Sequence, residues 1–279
     1  MNEKIINGKD CSRIVRETLK EQIKKINENL KLVVIRVGND EASKIYVKSK
    51  GKACNEVGID FDEITFRDDV SEEVLIDKIN ELNNDDEVTS ILVQLPLPNH
   101  LDSHKILNTI NYKKDVDGLT TINIGKLNNN EEAIIPCTAA GVIELLKFSN
   151  TTLEGKNVVI VGRSNLVGKP LIPLLLQENA TVSICHSKTP NLSEYTKKAD
   201  IIICAVGKPN IINQDMIKEN SIIIDVGINR LDGTICGDVN YDDVISKVSK
   251  ITPVPGGVGP MTVTNLLVNI LKCYEFQKN

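Results

Sequence analysis

The sequence predicts an α/β protein made of two α/β domains with a cleft between them. Three observations carry that expectation. Short apolar runs alternate with amphipathic stretches along the chain, the pattern of parallel strands joined by right-handed crossovers. Aromatic residues are 3% of the total and Trp is absent, so the core is built from Ile, Val and Leu, as in parallel sheets covered on both faces. The 279 residues suffice for two modest domains, each with its own core.

The elements follow in order. Residues 32–37 form a buried strand. Residues 41–57 form a helix that Gly58 ends, and residues 60–66 form the next strand. Ser71 is an N-cap that opens a helix with Val74, Leu75, Ile79 and Leu82 at helical spacing. Residues 88–93 complete the first set of strands. A bridging helix over 141–148 leads to a second set at 157–161, 180–185, 201–205 and 221–226, and an amphipathic helix over 262–276 closes the chain. The expected domains are 1–139 with the helical segment 262–279 packing back, and 140–261. No internal repeat or low-complexity segment is present.

Bulk properties exclude several functions. The formal net charge is -5, no Lys/Arg run is present and stacking aromatics are scarce, so no nucleic-acid footprint exists. The longest apolar runs, such as 201–206, are too short to span a bilayer. The polar, charged start over 1–10 is no secretory signal. Seven cysteines are scattered singly with no Cys-x-x-Cys, which fits reduced thiols in a cytoplasmic protein. His100 and His104 flank Asp102, but a third strong ligand is missing, so no metal is expected.

The strand at 157–161 enters Gly162-Arg163-Ser164-Asn165-Leu166-Val167-Gly168. A strand, a glycine turn and a helix make the Rossmann arrangement, in which a helix N-terminus faces a pyrophosphate. Ser164 stands where the second glycine belongs and Gly168 comes one residue late, so a ligand-free turn stays open on this motif alone. Arg163 can clamp a phosphate. The next strand ends at His186-Ser187-Lys188, where an NAD site usually carries an acid. The rear domain is therefore expected to be a Rossmann-type NADP-binding domain. Ile228, in the loop after a later strand, is placed to touch a flat ring of the cofactor.

Tyr46 and Lys50 lie four residues apart, on one helix face. A hydroxyl and an amine so placed can orient a substrate and move a proton. On spacing alone, an amphipathic surface helix that also carries Lys44, Lys48 and Lys52 is the better account of the pair. Short-chain dehydrogenases also use Tyr-x-x-x-Lys, but after the glycine loop; here the pair precedes it and belongs to the other domain. Gln94 ends a strand before Leu95-Pro96-Leu97-Pro98. Asp115 and Asp117 sit in Lys114-Asp115-Val116-Asp117-Gly118, and Pro253 to Thr262 is rich in Pro and Gly. That last run is also compatible with a rigid linker.

Taken together, these residues resemble the bifunctional methylenetetrahydrofolate dehydrogenase/cyclohydrolase family. The match runs through Tyr46 to Ala53, Gln94 to Pro98, Lys114 to Gly118, Pro136-Cys137-Thr138, Gly162-Arg163-Ser164, His186 to Thr189, Asp225 to Asn229 and Pro253 to Thr262. The resemblance implies a homodimer with NADP as cofactor, a folate substrate and an active site in the cleft. It implies Lys50 as the central catalytic group, Tyr46 stacking on folate, Gln94 bonded to Lys50, and Asp117 anchoring the pterin. Arg163, Ser164 and Ser187 would hold NADP phosphates beside Gly162, Ile228 would contact the nicotinamide end, and Pro255, Gly256 and Gly257 would line the folate channel. Leu119-Thr120-Thr121 and Ala139 depart from the residues common there. A dehydrogenase lacking the hydrolytic step, a different NAD(P) dehydrogenase and a non-catalytic binding protein are the rival readings.

Overall fold

The computed structural model describes residues 3–231 and 233–278. Met1, Asn2 and Asn279, at the ends of the predicted domains, and Asp232 lie outside the described residues. The chain divides into two compact units. The front unit holds Ile14–Cys137 and Val263–Asn279, and the rear unit holds Thr138–Thr262 with Met1–Arg13.

In chain order the first elements are α1 (Gly8–Ile23), β1 (Lys31–Val37), α2 (Glu41–Val57), β2 (Asp60–Phe66), α3 (Glu72–Asn83), β3 (Ser90–Val93), α4 (Ser103–Thr109) and α5 (Thr121–Asn128). The front sheet has the order β2-β1-β3, with both pairings parallel. Successive side chains of β1 serve opposite faces. Leu32 and Val34 pack with Val47, Cys54 and Val57 of α2, whereas Val33, Ile35 and Val37 pack with Leu75, Ile79 and Leu82 of α3. Helix α2 starts where the Asp40 carboxylate accepts the Ser43 N–H at 2.7 Å. It stops at Gly58, whose φ of 86° is left-handed.

The remaining elements are α6 (Cys137–Phe148), β4 (Asn157–Val161), α7 (Gly168–Gln177), β5 (Thr181–Cys185), α8 (Leu192–Thr196), β6 (Ile201–Cys204), β7 (Ile222–Asp225), β8 (Asn229–Leu231), β9 (Thr234–Cys236), α9 (Tyr241–Val244), β10 (Lys250–Ile251) and α10 (Val258–Lys278). The rear sheet has the order β10-β7-β6-β4-β5, parallel throughout, with β8 and β9 as a separate hairpin. Its first strand, β4, lies between the second and third, so the order reverses there.

Several expectations need correction. Residues up to Arg13 were expected in the front domain but group with the rear one. The reason is a sheet-edge attachment. Ile6 N–H donates to Ile251 O, and Ile251 N–H to Lys4 O, each at 2.8 Å. Helix α1 was not foreseen, because its buried apolar residues are few, chiefly Cys11, Leu19 and Ile23. Helix α10 begins at Val258, not Thr262. Pro260 sits in its first turn, where the missing N–H has no intrahelical partner to lose. Helix α6 likewise begins at Cys137 rather than Gly141. His100 precedes α4, while Asp102 caps that helix by accepting the His104 and Lys105 N–H groups. Among the described residues, no group of three or more His, Cys, Asp or Glu could hold a metal ion. No helix among them is long and apolar enough to cross a membrane. Six of the seven cysteines are buried, and Cys236 is partly exposed.

Asn269 of α10 is buried, and its amide donates to Val116 O and Ile135 O, each at 2.8 Å. Asn269→Leu removes both donors, and the expected loss is about 1–3 kcal/mol of stability. Chemical denaturation checks this: the midpoint should fall at constant m-value, and an unmoved midpoint would show that the two carbonyls need no partner.

Candidate active site

In the front unit, Tyr46 and Lys50 share one face of α2. Tyr46 is 45% exposed, and Lys50 is half-buried. Gln94 follows β3 directly, and its N–H continues the ladder to Ile35 O of β1 at 2.8 Å. Because β1 lies between β2 and β3, this is the strand-order reversal of the front sheet, the usual ligand position in open parallel sheets. The Gln94 side-chain N–H donates to Leu95 O at 2.7 Å, which turns its oxygen toward α2. Lys50 Nζ donates to that oxygen at 3.0 Å. The Leu95–Pro96 bond is cis.

The two carboxylates at 115 and 117 have different environments. Asp115 is 1% exposed and accepts the Thr120 N–H at 2.8 Å and the Asn123 amide at 2.9 Å. Burial pushes its carboxyl above the ordinary range, against the pull of those bonds. Asp115 thus shapes the turn that presents Asp117. Asp117 stays half-buried, with the Cys137 thiol 3.5 Å from its Oδ1. Burial, and then the Asp117 charge, push that thiol well up; Lys50 pulls it down. Lys50, Gln94, Asp117 and Cys137 are therefore gathered in one place. Cys137 has no role legible in the sequence, since a lone cysteine carries no spacing signal.

In the rear unit, the dinucleotide motif sits at the carboxyl ends of β4 and β5. Gly162 follows β4 directly with φ 126°, and its N–H donates to Cys185 O of β5 at 2.8 Å. A Cβ on Gly162 would lie 2.3 Å from Ala205 O, and one on Gly168 would lie 2.1 Å from Gly162 O. Both positions require glycine for close backbone approach. Ser164 replaces a glycine without strain: its hydroxyl accepts the Val167 N–H at 3.2 Å and its carbonyl accepts the Lys169 N–H at 3.0 Å. Helix α7 has no side-chain cap, and the exposed Arg163 and Ser164 lie in the loop that leads into its positive end. After β5, Lys188 N–H donates to His186 Nδ1 at 3.1 Å, and this turn presents Ser187 to solvent. Ile228 is 52% exposed between β7 and β8. Pro255 is exposed, Gly256 half-buried and Gly257 buried, just before α10 in the same unit. The Val254–Pro255 bond is cis.

Comparison with known proteins gives these two groups a context. The family description "Tetrahydrofolate dehydrogenase/cyclohydrolase, catalytic domain" matches residues 6–117, and the description of its NAD(P)-binding domain matches residues 136–278. The bifunctional protein FolD of Clostridium novyi is 49% identical over 269 residues, covering 95% of this chain and 97% of that protein. The chain belongs to the tetrahydrofolate dehydrogenase/cyclohydrolase family. A crystal structure of the bifunctional FolD enzyme from Campylobacter jejuni is 48% identical with a TM-score of 0.96, covering 98% of this chain and 99% of that one. The Trypanosoma brucei enzyme, solved with NADP cofactor and an inhibitor, is 34% identical with a TM-score of 0.93, covering 99% and 98%. The family resemblance carried by the motifs thus extends over the whole chain. The catalytic-domain match contains Tyr46, Lys50, Gln94 and Asp117; the NAD(P)-binding match contains Gly162, Arg163, Ser164, Ser187, Ile228 and Pro255 to Gly257.

Gly168→Ala tests the rear geometry. Its new methyl group would push the α7 start away from the β4 loop. Dinucleotide affinity should fall on the order of ten- to a hundredfold, the penalty for displacing a positioning element by about 1 Å. Fluorescence titration with NADPH measures this, and an affinity within error of the parent would show that the close contact is dispensable.

Proposed function

We propose that this chain oxidises 5,10-methylenetetrahydrofolate to 5,10-methenyltetrahydrofolate with NADP+ and then hydrolyses the product to 10-formyltetrahydrofolate. This places it in one-carbon metabolism. The observation that carries the reading is the Lys50–Gln94 hydrogen bond at 3.0 Å, at the strand-order reversal of the front sheet. Full-length membership of the family supports it.

The rear residues fit a dinucleotide. Helix α7 starts without a side-chain cap, and the exposed residues Arg163, Ser164 and Ser187 follow the adjacent strands β4 and β5. Arg163, Ser164 and Ser187 would hold its phosphates beside Gly162, and Ile228 would pack on its nicotinamide end. With no acid directly after β5, Ser187 and Lys188 would hold the 2′-phosphate of NADP instead. Bound NADP+ supplies the hydride acceptor.

The remaining chemistry belongs to the chain. Tyr46 stacks on the folate and orients it. Asp117 accepts hydrogen bonds from the pterin, and Pro255, Gly256 and Gly257 line the folate path. The bridging carbon loses hydride and becomes a methenyl carbon whose positive charge is shared by two folate nitrogens. The protein therefore needs to position it more than to neutralise it. In the second step water adds to that carbon, one carbon–nitrogen bond opens and a proton is released. Lys50 moves that proton, and Gln94, accepting from Nζ, holds the amine against the reacting carbon.

The cysteines support a reducing compartment, the cytoplasm, and the family resemblance supports a homodimer, which light scattering would measure.

One absorbance assay tests the activity: methylenetetrahydrofolate with NADP+ or NAD+, following reduced cofactor and methenyl product together. NADP+ should give the lower KM. Lys50→Met should abolish methenyl hydrolysis while folate still binds; full hydrolysis by that variant removes Lys50 from the mechanism. Asp117→Ala should raise the folate KM by roughly tenfold or more, as expected when a charge-assisted hydrogen bond is lost. An unchanged folate KM would dismiss the anchor.

A further inference from the structure

Behind the rear site lies a pair of buried acids that the proposed chemistry does not use. Asp225 is 3% exposed and Asp238 is fully buried. Asp238 accepts four hydrogen bonds. Its Oδ2 takes the Val206 and Gly207 N–H groups at 2.6 and 3.1 Å, and its Oδ1 takes the Lys208 N–H and the Asn229 side-chain amide, each at 2.9 Å. Asp225 accepts from Gly227 N–H and Asp238 N–H through Oδ1, each at 3.0 Å, and from Val239 N–H through Oδ2 at 2.9 Å. Burial pushes the Asp225 carboxyl up to about 6 against the pull of those donors. The fit is tight: a Cβ on Gly227 would lie 2.1 Å from Asp238 Oδ1, and one on Gly237 would lie 1.9 Å from Asp225 Oδ2.

Two consequences follow from chemistry. Three successive N–H groups, Val206 to Lys208, form a concavity of the kind that binds anions. Here the anion is the protein's own carboxylate, so this loop offers no cradle to a phosphate. The pyrophosphate is left to the start of α7. The same carboxylate also holds Asn229, next to Ile228, while Asp225 holds Gly227 on the other side. The exposed Ile228 is thereby fixed from both flanks. The loop after β6 in turn abuts Gly162, since Ala205 O is the atom that a Cβ there would strike.

We propose that Asp238 is a positioning residue for the dinucleotide, tying the loops after β6 and β7 into one rigid wall of its site. This rests on the cofactor reading above. An asparagine at 238 keeps one acceptor oxygen and turns an NH2 group against N–H donors, so it breaks the tie at nearly constant volume.

The test uses the full chain and the variants Asp238→Asn and Asn229→Ala. Readouts are NADPH binding by fluorescence, KM and kcat for NADP+, hydrolysis of methenyltetrahydrofolate and the melting temperature. For Asp238→Asn the KM for NADP+ should rise about ten- to a hundredfold, the range for losing a partner behind a ligand-contacting group. Its kcat at saturating NADP+ and its hydrolysis should stay within about twofold, because the front residues are untouched. A lower melting temperature with unchanged KM overturns the positioning role, as does a loss confined to kcat. If Asp238→Asn does not fold, Asn229→Ala decides, since it removes one donor from a partly exposed side chain. Its KM should rise about threefold, near 0.6 kcal/mol, and an unchanged KM overturns the proposal. A parent chain that binds no NADPH at all overturns the cofactor reading itself, and this proposal with it.

Discussion

A parallel sheet opens a crevice only where successive connections leave in opposite directions, and both sheets of this chain place their candidate site residues at such a point. In the front sheet β1 lies between β2 and β3; in the rear sheet β4 lies between β5 and β6. The backbone just past those strands has run out of ladder partners, so its side chains and amides are available to a ligand. Gln94 shows the transition in one residue. Its N–H still belongs to the ladder, bonded to Ile35 O, while its side chain has turned to accept from Lys50. Gly162, the first residue of the glycine motif, likewise keeps its N–H in the rear ladder, on Cys185 O.

Such loops need support that strands no longer supply, and the chain provides it with buried polar side chains bonded to backbone. Asp115 braces the turn before α5, Asn269 holds the carbonyls on either side of the Asp117 segment, and Asp238 holds the loop after β6. A buried polar group is tolerated only when its hydrogen bonds are made, and once made they allow few alternative arrangements. Each of these residues therefore fixes a loop more tightly than an apolar neighbour would. The expense of burial falls on the scaffold, which leaves the ligand-facing groups half-exposed.

Much of the architecture was legible because its signals are periodic. β1 alternates between two cores and α3 repeats at helical spacing, so each is visible in a short window. Helix α1 was missed because it buries little apolar surface. The pairing of Lys4 and Ile6 with Ile251 was not legible, because Ile251 lies far along the chain. The starts of α6 and α10 lie earlier than local periodicity places them: Pro136 immediately precedes α6, and Pro260 sits in the first turn of α10, which accepts proline. Candidate site residues were legible as a family pattern. Their contacts were not: nothing local to Gly237-Asp238 says that this carboxylate would meet Val206 to Lys208.

The imperfect glycine motif has a physical account. A second glycine in the usual fingerprint lets a pyrophosphate approach bare backbone. Ser164 stands there instead, and its hydroxyl and carbonyl stitch the loop to Val167 and Lys169. With these bonds made, helix α7 starts at Gly168, one residue later than the usual fingerprint places its third glycine. The third glycine's task is nevertheless kept, because a Cβ at Gly168 would strike Gly162 O. What the loop gives up in backbone approach it regains in side chains, with a hydroxyl and the Arg163 guanidinium at the positive end of α7. A guanidinium adds a formal charge and a bidentate fork that a backbone amide does not carry. The departure from the pattern is thus a change of donors around an unchanged strand–helix contact.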